Sequence, residues 1–189
     1  IRWMGGVRKY MPITWITFLL GSLALIGTPR FSGFYSKDSI IEAVAESHLW
    51  GSGFAYFAVL AGVFVTAFYS FRLYFLVYHG KERYDQNPEA HHDAHDDHDH
   101  HNEHHEPHES PWVVTLPLIL LAIPSVVIGF MTIEPMLFGD FFKDSIFINL
   151  ERHPAMEELA AMFHGPVQMA IHGLTAPPFW LALSGVVLA

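Results

Sequence analysis

The sequence predicts an all-α polytopic membrane protein: a bundle of transmembrane helices that includes one discontinuous (broken) helix. Three observations carry that reading. Hydrophobic residues make up 51% of the 189 and charged residues only 15%, against roughly 25% charged in a soluble domain. Apolar runs of spanning length occupy residues 54–78 and 111–131. Between two shorter runs lies GTPRFSGFYSKDSI, residues 27–40, which places Gly, Pro, Gly and the adjacent pair Lys37 and Asp38 where hydrocarbon is expected.

In chain order, residues 1–11 carry Arg2, Arg8 and Lys9 and read as a cytoplasmic loop. Residues 12–27 (PITWITFLLGSLALIG) would form a helix of about 24 Å, short of the roughly 30 Å hydrocarbon core. Residues 34–47 (FYSKDSIIEAVAES) would add about 21 Å, whereas one unbroken helix over both would reach about 54 Å. A single crossing over 12–47, made of two half-helices with a joint near 28–33, fits the thickness. Gly27, Pro29 and Gly33 are the expected joint residues. Irregular backbone at that depth is tolerated only inside protein or against a water-filled cavity, and broken helices are a device of transporters.

Residues 54–79 form the next span, with Arg72 the one charge in it, close enough to the helix end to snorkel to headgroups. Residues 80–110 form a second cytoplasmic loop, and 111–131 a span opened by Pro111 and the interfacial Trp112, with kinks expected at Pro117 and Pro124. An outer loop with amphipathic segments follows over 132–176. Residues 177–189 read as a truncated span, 13 residues being too short to cross. With no initiator Met and an apolar end, the chain reads as an internal piece of a longer protein. Lys81 and Arg83 fall on the same side as Arg2, Arg8 and Lys9 only if region 12–47 crosses once, as the positive-inside rule prefers.

Lys37 opens the second half-helix. The residues three and four positions on are Ile40 and Ile41, so no partner lies on its own face and a counter-charge must come from another helix. Burial and the positive end of the half-helix both disfavour its charged form, which suits a proton relay. The plainer alternative is a lysine that snorkels from a loop between two short helices. Arg30, at the joint, either faces a cavity or the outer exit, or pairs with Asp38 or a neighbouring helix. Glu42 and Glu46 follow Asp38 at steps of four and form an acidic face, read either as a solvated edge or as an exit path.

Within residues 91–109, nine are His and seven are Asp or Glu. The net charge of −9 therefore belongs mostly to one loop and implies no nucleic-acid partner. Loose metal binding at His91, His92, His95, His98, His100, His101, His104, His105 and His108 is chemically open, but a low-complexity run fixes no geometry, and a variable insertion is the simpler account. The absence of cysteine excludes disulfides and thiolate metal sites.

GGVRKYMPITWITFLLGSLALIGTPRFSGFYSKDSI, followed by FYSFRLYFLVYHGKER, resembles the antiporter-like membrane subunits of bacterial NADH-quinone oxidoreductase, respiratory complex I. The resemblance is strong over residues 1–85 and weaker over 111–131. It implies a proton-translocating subunit with no redox chemistry of its own: a translocase component, with no catalytic activity expected from this piece alone. Lys37 is then the outer-end lysine of the proton relay and Asp38 the exit-side carboxylate, with Arg30 and Glu42 exit-side or structural. NADH, FMN, iron-sulfur clusters and quinone would be handled by other subunits, with no cofactor on this chain. Its partners would be other membrane subunits and the lipid bilayer, and its place the bacterial inner (plasma) membrane. A multisubunit cation/proton antiporter shares the broken-helix pattern and stays open as the alternative. A metal-handling membrane protein using the His-rich loop is the third reading, disfavoured because no span carries a His-x-x-x-Asp ligand pair.

Overall fold

The computed structural model describes residues 3–83, 107–143, 145–147 and 154–189, and all of its regular elements are helical. The His-rich stretch from His91 to His105 lies outside the described residues. In order come α1 (Pro12–Leu25), α2 (Ser32–Ala45), α3 (Ser52–Tyr74), α4 (Trp112–Ile133), α5 (Pro154–Met162), α6 (Pro166–Gly173) and α7 (Pro177–Leu188). A 3-10 turn at Val7–Lys9 precedes them, and α3 and α4 each run on as a π turn, to His79 and Phe138 respectively. Ser52–His79 and Trp112–Phe138 are long and apolar enough to cross a membrane; α6 with α7, bent by 56° at their break, would make a third crossing.

The long helix α4 serves as a ruler for the broken region. Its residues Leu118, Leu121, Ala122 and Ser125 face Thr14 to Leu25 of α1, and Ile128, Gly129, Thr132 and Met136 face Ser32 to Ala43 of α2. The two half-helices therefore lie end to end beside one continuous helix. The third wall, α3, runs back along them: Val63 stands beside α2, Tyr74 stacks on Phe18 with ring centroids 6.3 Å apart, and His79 reaches Trp15. Pro117 and Pro124 both lie within the single helix α4.

Helices gain little from the hydrophobic effect when lipid surrounds them, so close packing has to hold them together. Small residues mark the crossings. A Cβ on Gly129 would sit 2.5 Å from Ser32 Cα, and one on Gly185 2.7 Å from the Phe64 carbonyl oxygen. Two buried clusters result. One joins Ile41, Phe71, Tyr74, Tyr78 and Ala182 between α1, α2, α3 and α7; the other joins Phe34, Tyr35, Ile133 and Ala170 between α2, α4 and α6. Tyr35, 1% exposed, donates its hydroxyl to the Pro166 carbonyl at 3.3 Å and ties α2 to the start of α6.

The structure differs from the sequence expectation in three places. The joint comprises Ile26 to Phe31, two residues earlier than 28–33, because the helix-ending turn begins ahead of Gly27. The helix that begins at Trp112 continues to Phe138, past the expected 131. Within 132–176, α6, which the sequence reading placed in an outer loop, pairs across a short break with α7, which it read as a truncated span, and the two make a second interrupted helix.

Candidate functional site at the helix joint

The end of α1 follows from glycine at position 27. With φ 77° Gly27 takes the left-handed conformation, Thr28 N–H donates to the Leu23 carbonyl at 3.0 Å, and Gly27 N–H donates to Ala24 at 3.2 Å. This paired closure satisfies two of the helix's last carbonyls. Pro29 follows, where it prevents the helix from continuing. Phe31 N–H then closes a turn onto the Thr28 carbonyl at 3.0 Å, with Pro29 second and Arg30 third. Such a turn needs positive φ at its third position, usually supplied by glycine. Here Arg30 adopts it, at φ 77°, the one non-glycine to do so among the described residues.

Gly33 is not part of the irregular backbone; it lies in the first turn of α2. Its missing side chain serves contact, since a Cβ would lie 1.9 Å from the Ala24 carbonyl oxygen. The second half-helix is thereby seated against the end of the first. That seating brings Lys37 to its partner: Nζ donates to the Leu25 carbonyl oxygen, a group in the last turn of α1. Its partner is thus a carbonyl at the negative end of α1, the first half of the same broken helix, and not a charged group. The C-terminus of α1 favours its ammonium, whereas Lys37, the sixth residue of α2, lies beyond the first turn where the sequence reading put it, because α2 begins at Ser32.

Asp38 is 5% exposed, and its Oδ2 has no hydrogen-bond partner among the described residues. Lys37 and Asp38 line one cavity of about 20 Å³, closed by Ile26, Phe34, Val63 and the α6–α7 break at Gly173 and Pro178. That volume holds about one water molecule. Gly173 is pressed onto the Phe34 ring, where a Cβ would stand 2.4 Å from the nearest carbon, so the second interrupted helix forms one wall of the cavity.

Arg30 is exposed and lines a separate cavity of about 390 Å³ with Pro29, Phe31, Val126, Val127 and Phe130. Among the described residues no ion pair joins it to Asp38. Glu42 is half-buried and opens onto a third cavity, of about 500 Å³, shared with His164, Gln168, His172 and Thr175. Arg72 is exposed and lies 5.9 Å from the centre of the Phe68 ring. Of the nine histidines with loose metal-binding chemistry, only His108 is described; its Nδ1 lies 3.2 Å from the Glu109 carbonyl oxygen.

Sequence reasoning missed Glu109. Its carboxylate accepts from Ile13 N–H and from the Thr14 hydroxyl, each at 2.7 Å, and from Ser110 N–H at 3.2 Å. It thereby caps the start of α1 from across the loop. Burial pushes the carboxyl up, but the hydrogen bonds from Thr14, Ile13 and Ser110 outweigh it and hold Glu109 below the ordinary glutamate value. Beside it, Lys9 pairs with Glu82 at 3.1 Å and Arg8 meets His79 Nδ1 at 3.0 Å. No local spacing signals a cap supplied from 95 residues away.

The family described as NADH:quinone oxidoreductase/Mrp antiporter, TM, matches residues 1–68. NADH-quinone oxidoreductase subunit L of Neisseria meningitidis serogroup A is 61% identical over 190 residues, covering 100% of this chain and 28% of that protein. NAD(P)H-quinone oxidoreductase chain 5 of Picosynechococcus is 40% identical over 197 residues, covering 93% of this chain and 27% of that one. NADH-ubiquinone oxidoreductase chain 5 of Phytophthora infestans is 39% identical over 153 residues, covering 79% and 20%. The chain spans little more than a quarter of the length of the first of these curated relatives. The joint and its lysine lie inside the matched 1–68 segment, and the chain as a whole is similar to one stretch of the subunit L proteins of NADH-quinone oxidoreductase.

Proposed function

We propose that this chain is part of the proton-translocating membrane subunit of an NADH-quinone oxidoreductase, and that Lys37 and Asp38 carry its proton relay at the break between α1 and α2. The observation that carries the reading is the cavity of about 20 Å³ lined by both side chains, with Asp38 Oδ2 buried and unpartnered beside it. A buried carboxylate that lacks a partner is costly, and taking up a proton relieves that cost. A lysine held by one backbone carbonyl can gain or lose its proton with small rearrangements. One water in the cavity would connect the two. Redox chemistry falls to other subunits, which bind NADH, flavin, iron-sulfur clusters and quinone. The inner membrane of a bacterium and neighbouring membrane subunits are the setting this implies.

A cation/proton antiporter is the second reading, since the matching family covers both kinds of protein. The relatives at 61% and 40% identity both carry quinone oxidoreductase names, which favours the first.

The deciding measurement is the ratio of protons moved to electrons transferred by the assembled oxidoreductase in sealed vesicles. Lys37→Ala should assemble and lose most of that ratio. Lys37→Arg should fail as well, because guanidinium, with a pKa above about 12, does not release its proton. A normal ratio in Lys37→Ala would make the lysine a structural partner of the Leu25 carbonyl and end the relay reading.

A further inference from the structure

Two groups outside the Lys37–Asp38 cavity, Glu42 and His172, meet in the vestibule at the far end of α2. Glu42 lies one helical turn beyond Asp38 on the same face of α2 and opens into the cavity of about 500 Å³. His172, exposed on the last turn of α6, lines the same cavity and interacts electrostatically with Glu42. The adjoining Gly173, pressed on Phe34, walls the inner cavity that Lys37 and Asp38 share. One short stretch of α6 therefore borders both cavities, with Asp38 and Glu42 facing it from α2.

The position of His172 is fixed by its backbone. Its carbonyl accepts from both Thr175 N–H, at 2.9 Å, and Thr175 Oγ1, at 2.8 Å, closing the turn that leads into the break before α7. The imidazole sits at the C-terminal end of α6, and an imidazole nitrogen can both accept and give up a proton. The other titratable groups on this side are Glu46 on α2, which bears on Glu42, His164 between α5 and α6, and the pair of His48 with Glu158 on α5, 4.0 Å apart.

We infer that His172 is the exchange group at the mouth of the relay, taking protons from Glu42 and handing them to water in the vestibule. This rests on the reading of Lys37 and Asp38 given above. In the step, a protonated Glu42 carboxyl transfers its proton to a free imidazole nitrogen of His172, leaving carboxylate and imidazolium. The imidazolium then releases the proton to water or buffer and is neutral again. Charge and protons balance, and no other reactant is required.

The test uses the assembled oxidoreductase in sealed vesicles, with His172→Ala and His172→Gln. His172 is exposed, so both should assemble. The rate of proton release per enzyme should fall roughly tenfold in both, less than for a group with no competing water. Imidazole added to the compartment facing α5 and α6 should restore the alanine variant, and imidazole on the opposite side should not. Recovery in His172→Gln without imidazole would reveal a packing or hydrogen-bonding role and overturn the inference. Normal rates in both variants, with Lys37→Ala inactive, would overturn it while leaving the relay standing. Normal pumping by Lys37→Ala would instead remove the relay itself.

Discussion

The two ends of α1 solve the same problem in opposite ways. At its start, Glu109 answers the free N–H groups with both carboxylate oxygens, and Lys9–Glu82 and Arg8–His79 pair the charges around it. At its finish, the N–H groups of Ile26, Gly27 and Thr28 and the Lys37 ammonium take the last four carbonyls, while Asp38, on α2, keeps an oxygen without a partner among the described residues. Polar groups that are fully paired rigidify a structure; groups left partly unpaired inside protein are held ready for another proton or partner. The comparison teaches that both ends of α1 are tied, one by a distant carboxylate and the other by its own turn and a lysine of α2, so that the group left unpaired at the joint is Asp38 of α2.

The largest test of that contrast is steric. Gly33→Ala would drive a methyl into the Ala24 carbonyl, backbone against backbone, with no flexible side chain to yield. A loss of about 3 kcal/mol is expected from overpacking of this kind, read as a lowered unfolding transition in detergent micelles. A variant as stable as the parent would mean that α2 is not seated on α1 in this way, and the contrast between the two ends would lose its basis.

Next in size is the rim. Glu109→Ala should cost about 1 kcal/mol, the worth of a helix cap that water also reaches. Because Glu109 is held below its ordinary value of 4.5, it binds a proton less readily folded than unfolded. Its stabilisation is therefore complete above about pH 4.5 and drains as pH falls through the lower folded value. The alanine variant should lack this acid-sensitive part. Equal loss of stability in parent and variant below pH 4.5 would show that the cap carries no charge-dependent share.

The smallest effect sharpens the comparison from the joint side. Arg30 occupies a backbone conformation that costs a non-glycine residue about 1 kcal/mol. Arg30→Gly should recover about that much in folded-state strain, less the entropy glycine adds to the unfolded chain. A clear loss of stability instead would mean that the guanidinium makes contacts worth more than the strain, and the joint would be less open than Asp38 suggests.

What the sequence made legible follows from what is local. Charge-poor composition and run length carry the all-helical membrane class, and the shortness of residues 12–27 calls for an interruption. Lys37 and Asp38 stand out because charge is costly at that depth. The rest depends on residues far apart in the chain. Lys37 finds the Leu25 carbonyl only once Gly33 has seated α2, and Glu109 reaches Thr14 across 95 positions. The break between α6 and α7 hides in ordinary helix starts, Pro166 and Pro177, whose meaning appears only where Gly173 meets Phe34. Gly33 was legible as special but for the wrong reason, since spacing cannot distinguish a glycine that bends the chain from one that admits a neighbour.

On the proposed relay reading, the bond from Lys37 to the end of α1 makes a mechanical joint and a proton site into one object. Thermodynamic linkage is reciprocal: if adding or removing the proton changes how the two half-helices sit, then changing how they sit alters the lysine's proton affinity by the same free energy. Rearrangement elsewhere in a larger assembly therefore needs no wire to reach Lys37. It needs only to lean on α1 or α2, with the continuous α4 as the fixed rail against which they shift.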